Sequence, residues 1–274
     1  MAKKVAAKES LAAPRQKSSA LVDKTARKTE ITKIPVEMFW LMLASYCEGM
    51  ERLARARAGF FETIRAYHAS ELDTVIENHD MEAFKYVHQI SHLVHANSLF
   101  DTFLSDCTRL LLSMHPGAIG VNQQVSLQTI LQAGTRADIL NQAISKKTRE
   151  LGMQSTVTRL EFLRETFGVV WEVDGETRKT LERYANKRNL IVHDQGVFEI
   201  AVDNNGDILC SSKTCRHQPT PVSNEEVVEA YCAFSKTVSK FASSMFSGVF
   251  KVKLTDKMQG LLNSLETTNK HFKN

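Results

Sequence analysis

An arginine, an asparagine and a histidine occur within six residues of one another in the second half of the chain. They are Arg188, Asn189 and His193, and an aliphatic triplet separates the asparagine from the histidine. Histidine gains and loses a proton near neutral pH, and arginine keeps its charge while it holds two phosphate oxygens at once. Attack of a ribose 2′-OH on the adjacent phosphorus needs these two functions, a proton acceptor and a cation. The segment therefore predicts RNA cleavage that requires no metal ion.

The spacing of the three residues predicts that they share one side of a helix end. Successive helical residues turn by about 100°, so Asn189 and His193 are neighbours four residues apart, with Arg188 on their flank. Leu190 and Ile191 are expected to face the opposite way, into a helical core. A solvated helix end without a function is the alternative, because basic residues near a helix C-terminus are favoured by the helix dipole alone.

The elements that must position this motif are predicted to be helices. The chain has 12 Gly and 5 Pro among 274 residues, and its apolar residues recur at spacings of three and four, which is typical of packed helices. Pro35 is expected to mark the start of ordered structure and of the first long helix. The last predicted helix is expected to pack loosely. The predicted helices cover residues 35–67, 81–115, 126–133, 137–151, 155–167, 174–195, 225–246 and 256–265.

One segment after the motif has the alternation of a β-strand. Gly196 is expected to end the motif helix, and apolar residues then alternate over residues 197–202. The turn-forming sequence Asp-Asn-Asn-Gly follows at residues 203–206, before a second short apolar stretch. We therefore predict a mainly α fold, a helical bundle with a small β-hairpin insertion at about residues 197–210.

Charge is spread unevenly along the chain. Residues 1–33 hold nine Lys and Arg against three Asp and Glu, a net charge of +6, so the remaining 241 residues carry −2 of the total of +4. This segment has few large apolar residues and is expected to be a disordered tail, which either aids solubility or tethers RNA phosphates weakly. We therefore divide the chain into this tail, a helical domain over residues 34–250 and a C-terminal helical extension over residues 251–274.

The composition is that of an ordinary globular protein. Hydrophobic residues make up 43% of the chain and charged residues 24%. No apolar run approaches the roughly 20 residues that span a bilayer, and no hydrophobic stretch follows the basic start as a secretory signal requires. We expect a cytoplasmic protein that does not enter a membrane, with its five cysteines as reduced thiols.

The motif resembles a known one. Residues 188–193, Arg-Asn-Leu-Ile-Val-His, resemble the R-x4-6-H motif of the HEPN superfamily (higher eukaryote and prokaryote nucleotide-binding domains), in which a polar residue, often asparagine, follows the arginine. The resemblance covers residues 36–247 and implies a HEPN-like helical bundle. By position, it implies that His193 is the catalytic acid and base, that Arg188 binds phosphate and stabilises the transition state, and that Asn189 orients the reacting groups.

The resemblance implies a function and leaves two alternatives. Many HEPN members are endoribonucleases of toxin, abortive-infection and CRISPR-associated systems, and they dimerise so that two motifs form one cleft. A homodimeric, metal-independent endoribonuclease that acts on RNA in anti-phage defence or a toxin system is therefore expected, without a cofactor. The first alternative is a non-catalytic HEPN module that binds RNA or a nucleotide, or the dimeric partner of another effector or of an antitoxin. The second is a helical interaction protein without a nucleic-acid role.

Asp101 is a candidate supporting residue on the second long helix. It lies four residues after Asn97 among apolar neighbours, where a carboxylate needs a partner. Arg188 is the expected partner if the two helices pack side by side. The HEPN resemblance points the same way, since its members often carry a supporting polar or acidic residue on an earlier helix. A surface aspartate without a role is the alternative.

Two further sets of residues have side chains that can bind a metal. One set lies near and after the predicted hairpin, and the other lies on one face of the second long helix. The first does not have the spacing of strong zinc motifs, and the second has no carboxylate at a matching position. We therefore predict no metal site, and we expect the histidines to be solvated or to contact RNA. The two sets are Cys210, Cys215, His217 and Cys232, and His88, His92 and His95.

The first long helix is locally basic. Its arginines scatter around the helix and do not form one stripe, so they are expected to be solvated beside acidic neighbours. They are Arg52, Arg55, Arg57 and Arg65.

Overall fold

The fold is built from helices. The computed structural model describes residues 19–69, 78–120, 126, 128, 130, 133–171, 174–193 and 222–271. Every regular element within these ranges is helical, which confirms the predicted mainly α class, whereas the predicted β-hairpin at residues 197–210 lies outside the described residues. The helices are α1 (Ser19–Ala69), α2 (Asn78–Met114), α3 (Arg136–Gly152), α4 (Thr156–Phe167), α5 (Gly175–His193), α6 (Asn224–Ser244) and α7 (Asp256–His271). A 3₁₀ turn follows α2 at Pro116–Ile119, and a π-helical turn follows α6 at Met245–Val249.

Helix α1 begins earlier than the sequence predicted. It starts at Ser19 and continues through Pro35, so the expectation that the first helix begins at Pro35 is wrong. Proline lacks an amide hydrogen and crowds the carbonyl four residues before it, which disfavours an interior position without forbidding it. The part of the predicted tail over residues 1–18 lies outside the described part of the chain.

The main core lies between α1, α2 and α6. Phe39 is fully buried, and its ring packs at centroid distances of 5.1–6.5 Å against four other phenylalanine rings. On the C-terminal side, Gly49 of α1 lies against Leu99 of α2, where a β-carbon would stand 2.9 Å from the leucine side chain. The absence of a side chain at Gly49 therefore permits the close approach of α1 and α2. The four rings are those of Phe103, Phe241, Phe246 and Phe250.

The contacts fix the directions of the helices. Helices α1 and α2 are antiparallel, because Phe39 contacts Phe103 while Phe60 contacts Phe84. Helix α5 runs antiparallel to α6, since Lys187 near the end of α5 binds Glu226 at the start of α6. The carboxyl end of α5, which carries the motif, therefore lies at the same end of the bundle as the start of α6.

Helix α7 belongs to the core. Leu262 and Leu265 are each 2% exposed and lie in the same apolar cluster as the buried residues of α1, α2 and α6. The expectation of a loosely packed C-terminal extension is therefore wrong, because the two leucines, three residues apart, form an apolar stripe that the bundle covers. No helix in the described ranges combines the length and the apolar character needed to cross a membrane.

Local sequence signals set the starts of the shorter helices. Thr135 and Asp138 form a reciprocal capping box at α3, and the Ser155 side chain accepts a hydrogen bond from the Thr158 amide at α4. Asp174 accepts a bond of 2.7 Å from the Thr177 amide at the start of α5. The predicted starts of these three helices are confirmed to within one residue, because each depends on side chains only three positions away.

Candidate functional site

Contacts with α6 fix the rotation of α5. The buried Tyr184 donates a hydrogen bond of 2.8 Å to Glu229, and the Lys187 ammonium lies 2.7 and 2.8 Å from the two carboxylate oxygens of Glu226. Partial burial alone would raise the pKa of Glu226, but Lys187 and the Ser223 amide lower it below its ordinary value, so the carboxylate stays charged. Asn189 consequently lies on the side of α5 opposite these contacts, and Arg188 lies on the flank of that side.

That side of α5 opens on a polar cleft of about 370 Å³. Helix α5 contributes Arg188 and Asn189, helix α2 contributes Asn97 and Asp101, and the connection from α3 to α4 forms the opposite wall. The structure therefore places two motif residues and the predicted supporting residue in one cavity. Its volume is within the range of ligand-binding pockets.

Arg188 is only partly engaged within the cleft. Its Nη1 donates a hydrogen bond of 3.0 Å to the Asn189 side chain, and its Nε is buried without a hydrogen-bond partner among the described residues. Asn189 is exposed, so its side-chain oxygen contacts the Arg188 guanidinium from the solvent side of the cleft. Within the described residues the guanidinium has this one hydrogen bond, so its terminal nitrogens keep donors that an anionic oxygen can satisfy.

His193 is the last residue of α5, five positions after Arg188. The surroundings of its side chain lie outside what the structure describes. The prediction that Leu190 and Ile191 face the core is met in part: Ile191 packs against the main core, whereas the half-buried Leu190 is not among the residues packed against it. Val192 is 45% exposed. The helical geometry that relates His193 to Asn189 stays a prediction.

Asp101 is paired with Arg159 of α4. Nη1 of Arg159 lies 2.8 Å from the Asp101 carboxylate, and Nη2 donates to the Asp101 carbonyl at 3.2 Å and to Ser105 Oγ at 2.9 Å. The expected partner, Arg188, lines the same cleft but is not the ion-pair partner that the structure gives to Asp101. The physical reason is that α4 packs beside α2 at this level and brings the buried Arg159 guanidinium to the carboxylate.

Arg159 is a site residue that the sequence analysis missed. Its side chain is only 5% exposed, and its Nε has no hydrogen-bond partner in the described part of the chain. The signal was present in the helical spacing, because Arg159 shares one face of α4 with Thr156, Leu160 and Leu163, all of which are buried. A charged residue on a buried face marks a position with specific partners.

We expect Arg159→Met to lower the free energy of unfolding by about 2 kcal/mol, because it removes three hydrogen bonds and leaves the Asp101 carboxylate without its cation. The Asp101 side chain is 39% exposed, so water offsets part of the loss. Urea denaturation measures the change. The matched control is Arg178→Met, which breaks an exposed ion pair with Glu161 and should change stability by less than about 0.5 kcal/mol. Equal losses in the two variants would contradict the assignment.

The histidines of α2 differ in exposure. His95 is exposed as expected, but His92 is 6% exposed and its Nδ1 lies 2.9 Å from the Tyr231 hydroxyl. His88 stacks on Phe60 with a centroid distance of 3.6 Å. The expectation of solvated or RNA-contacting histidines is therefore wrong for His92. No group of three or more possible metal-binding side chains was found within the described residues.

The structure also describes Arg57 and one of the candidate zinc ligands, Cys232. Arg57 is 8% exposed and donates a hydrogen bond to Asn224 of α6, so the expectation of a solvated arginine is wrong there. Cys232 is a half-buried free thiol. Residues 210, 215 and 217, the other candidate zinc ligands, lie outside the described ranges.

No protein-family model, no curated protein and no solved structure shows a significant match to this chain. The candidate site therefore stands on its own geometry.

Proposed function

We propose that this protein is a metal-independent endoribonuclease of HEPN type, which cleaves RNA through the ribose 2′-OH. The observation that carries the proposal is the position of Arg188, which lines a polar cleft and whose guanidinium has one hydrogen bond, to Asn189, among the described residues. A phosphate oxygen is an acceptor of the right charge for this group. His193 ends the same helix and supplies the proton transfers.

The chemistry assigns each residue one task. His193 removes the proton from the 2′-OH, whose oxygen then forms a bond to the adjacent phosphorus. The bond from phosphorus to the 5′ oxygen breaks, and that oxygen receives a proton as it leaves. Arg188 stabilises the charge that develops on the phosphoryl oxygens, and Asn189 holds the guanidinium in place. The products are a 2′,3′-cyclic phosphate and a 5′-hydroxyl, and the reaction consumes no cofactor.

A homodimer is the proposed active form. The reaction needs one group that accepts a proton and one that donates it, and a single copy of the motif has one histidine. Two α5 ends brought together would supply both groups at once. The exposed Val192 beside the motif offers apolar surface for such a contact. RNA is the proposed substrate, and a role in anti-phage defence or in a toxin system belongs to the same proposal.

The test is cleavage of single-stranded RNA in EDTA by the full chain. We expect 2′,3′-cyclic phosphate ends, and we expect His193→Ala and Arg188→Ala each to lower the rate by about 10³-fold, since each removes one catalytic function. The control is Arg178→Ala, which changes an exposed arginine of the same helix that pairs with Glu161. It should cleave at the wild-type rate.

Two results would reject the endoribonuclease proposal. Cleavage at equal rates by the wild type, His193→Ala and Arg188→Ala would remove the site assignment. RNA binding that Arg188→Ala weakens, without cleavage by any form, would favour the non-catalytic RNA-binding module. A DNA strand of the same sequence has no 2′-OH and should stay intact.

A further inference from the structure

We propose that the cleft beside Arg188 binds one nucleobase of the RNA, so that the phosphate next to this base meets the Arg188 guanidinium. The inference rests on the proposed function for the identity of the ligand as RNA, and it deepens that function by assigning the residues that recognise the base. They are Asn97 of α2, Asn186 of α5, and Met153 and Gln154 in the connection from α3 to α4, all of which line the cleft.

Asn97 presents to the cleft an acceptor that the protein does not satisfy. The residue is 2% exposed, and its Nδ2 donates a hydrogen bond of 3.2 Å to the Tyr184 carbonyl of α5, which holds the amide in one orientation. Its Oδ1 has no hydrogen-bond partner within the described residues, yet it is not among the polar atoms sealed from solvent. Because Asn97 lines the cleft, a ligand reaches this oxygen from there. Buried polar atoms are almost always bonded, so a ligand that places an N–H group at this point gains a hydrogen bond.

Two further amide side chains around the same cavity are unengaged. Gln154 and Asn186 are exposed, and their side chains form no hydrogen bond in the part of the chain that the structure describes. A carboxamide places a donor and an acceptor side by side, and the edge of a nucleobase presents donors and acceptors in a similar arrangement. Proteins that recognise single-stranded RNA read unpaired bases through such edges. The amides therefore suit a base better than a phosphate, whose oxygens only accept.

Met153 provides an apolar surface beside these amides. It is 81% exposed, more than any other large hydrophobic residue in the described ranges. A thioether makes favourable contacts with aromatic rings, so Met153 can cover a base whose edge meets the amides. The cavity of about 370 Å³ lies near the lower end of the range of ligand pockets, which suits one base rather than a longer segment.

The charges of the cleft favour an uncharged group in its interior. Asp101 is paired with Arg159, and Glu182 lies 3.8 Å from Arg178 on the same helix. Among the described residues that line the cleft, Arg188 is the cation without a carboxylate partner. A neutral base can therefore occupy the cleft while Arg188 remains available for the adjoining phosphate. In this arrangement the cleft selects the nucleotide beside the scissile bond.

The experiment compares two single-stranded hexamers of equal charge, a hexadeoxyadenylate and a hexamer of abasic deoxyribose phosphates. Neither has a 2′-OH, so the proposed reaction cleaves neither. Fluorescence anisotropy with the full chain measures both dissociation constants. Adenine supplies the amino donor that Asn97 Oδ1 accepts. We expect the adenylate to bind about tenfold more tightly than the abasic hexamer, because the contacts to the base exist in the adenylate alone.

The ratio of the two dissociation constants is the readout, because a general loss of structure weakens both ligands alike. Met153→Ala and Asn186→Ala change exposed residues and should each lower the ratio about threefold. The matched control is Gln142→Ala, which removes an exposed amide of α3 that does not line the cleft and should keep the ratio. Arg188→Gln should weaken both hexamers about equally, because it removes the phosphate contact.

The outcomes separate this inference from the proposed function. Equal affinities for the two hexamers, or a ratio that neither Met153→Ala nor Asn186→Ala lowers, would overturn the base site even if the wild type cleaves RNA. A similar fall of the ratio in Gln142→Ala would overturn its assignment to the cleft. A ratio that falls only in the cleft variants would support the base site even without RNA cleavage, and the endoribonuclease proposal alone would then fail.

Discussion

Replacing Phe39 by alanine should lower the free energy of unfolding of this protein by about 4 kcal/mol. The Phe39 side chain is fully buried, and the four phenylalanine rings around it come from α2, from α6 and from the turn after α6. Removal of a ring from such a position loses its transfer free energy and leaves a cavity that the bundle fills only in part. The effect is the largest expected from a single apolar substitution because one residue joins three elements.

Urea denaturation followed by circular dichroism measures this change. The matched control is Leu41→Ala, because Leu41 lies two residues further along the same helix and is 67% exposed. Its replacement should change stability by less than about 0.5 kcal/mol. A loss below about 1 kcal/mol for Phe39→Ala, or similar losses in both variants, would show that α1 does not pack in the core as described.

Acidification should destabilise the protein through His92. Burial lowers the pKa of this histidine most, and the positive charges of His88, Arg57 and His95 lower it further, from 6.5 to about 4. The Tyr231 hydroxyl forms a hydrogen bond of 2.9 Å with Nδ1 of His92. A protonated His92 would add a charge beside the buried Arg57 guanidinium, which explains why the neutral form is favoured in the folded state.

The direction of the effect follows from proton binding. In the unfolded chain His92 takes up a proton near pH 6.5, whereas in the folded protein it does so only near pH 4. Between these values the unfolded state binds more protons, so the stability present above pH 6.5 is lost as the pH falls towards 4. A shift of this size corresponds to a loss of up to about 3 kcal/mol.

Unfolding free energies at pH 7.5, 5.5 and 4 measure the slope. His92→Gln removes the titrating group and should flatten the slope, though not abolish it, because the pKa of His88 is also lowered, by burial and by Arg57. The control is His115→Gln, which changes an exposed histidine directly after α2 that is not among the groups that lower the pKa of His92, and it should keep the wild-type slope. An unchanged slope in His92→Gln would assign the acid sensitivity to other groups.

The helices could be predicted because their signals are local. The pattern of α2 predicted residues 81–115, and the helix spans Asn78–Met114. The start of α1 could not be found in the same way, because proline favours the first turn of a helix, whereas α1 continues through Pro35. The packing of α7 depends on apolar surface offered by distant helices, so its own sequence did not show that Leu262 and Leu265 are covered.

The candidate site could be predicted in part. Arg188, Asn189 and Asp101 lie around one cleft, as helices packed side by side would place them. The partner of Asp101 could not be identified from the sequence, because the choice between Arg159 and Arg188 depends on how α4 lies against α2. Arg159 was not predicted, although it shares a helix face with buried residues, because its burial and its partner depend on how α4 packs against α2.

The sequence alone determined the helical class, the extents of most helices and the placement of the Arg188–His193 motif at the end of one of them. Those features depend on side chains within about four residues of each other, through apolar periodicity and helix caps. The tertiary structure decided which charges meet and which are buried: Arg159 with Asp101 across 58 residues, His92 with Tyr231 across 139, and Arg57 with Asn224 across 167. Such contacts depend on how whole helices pack, and this packing determines both burial and charge pairing. A pattern of residues close together in sequence does not contain that information.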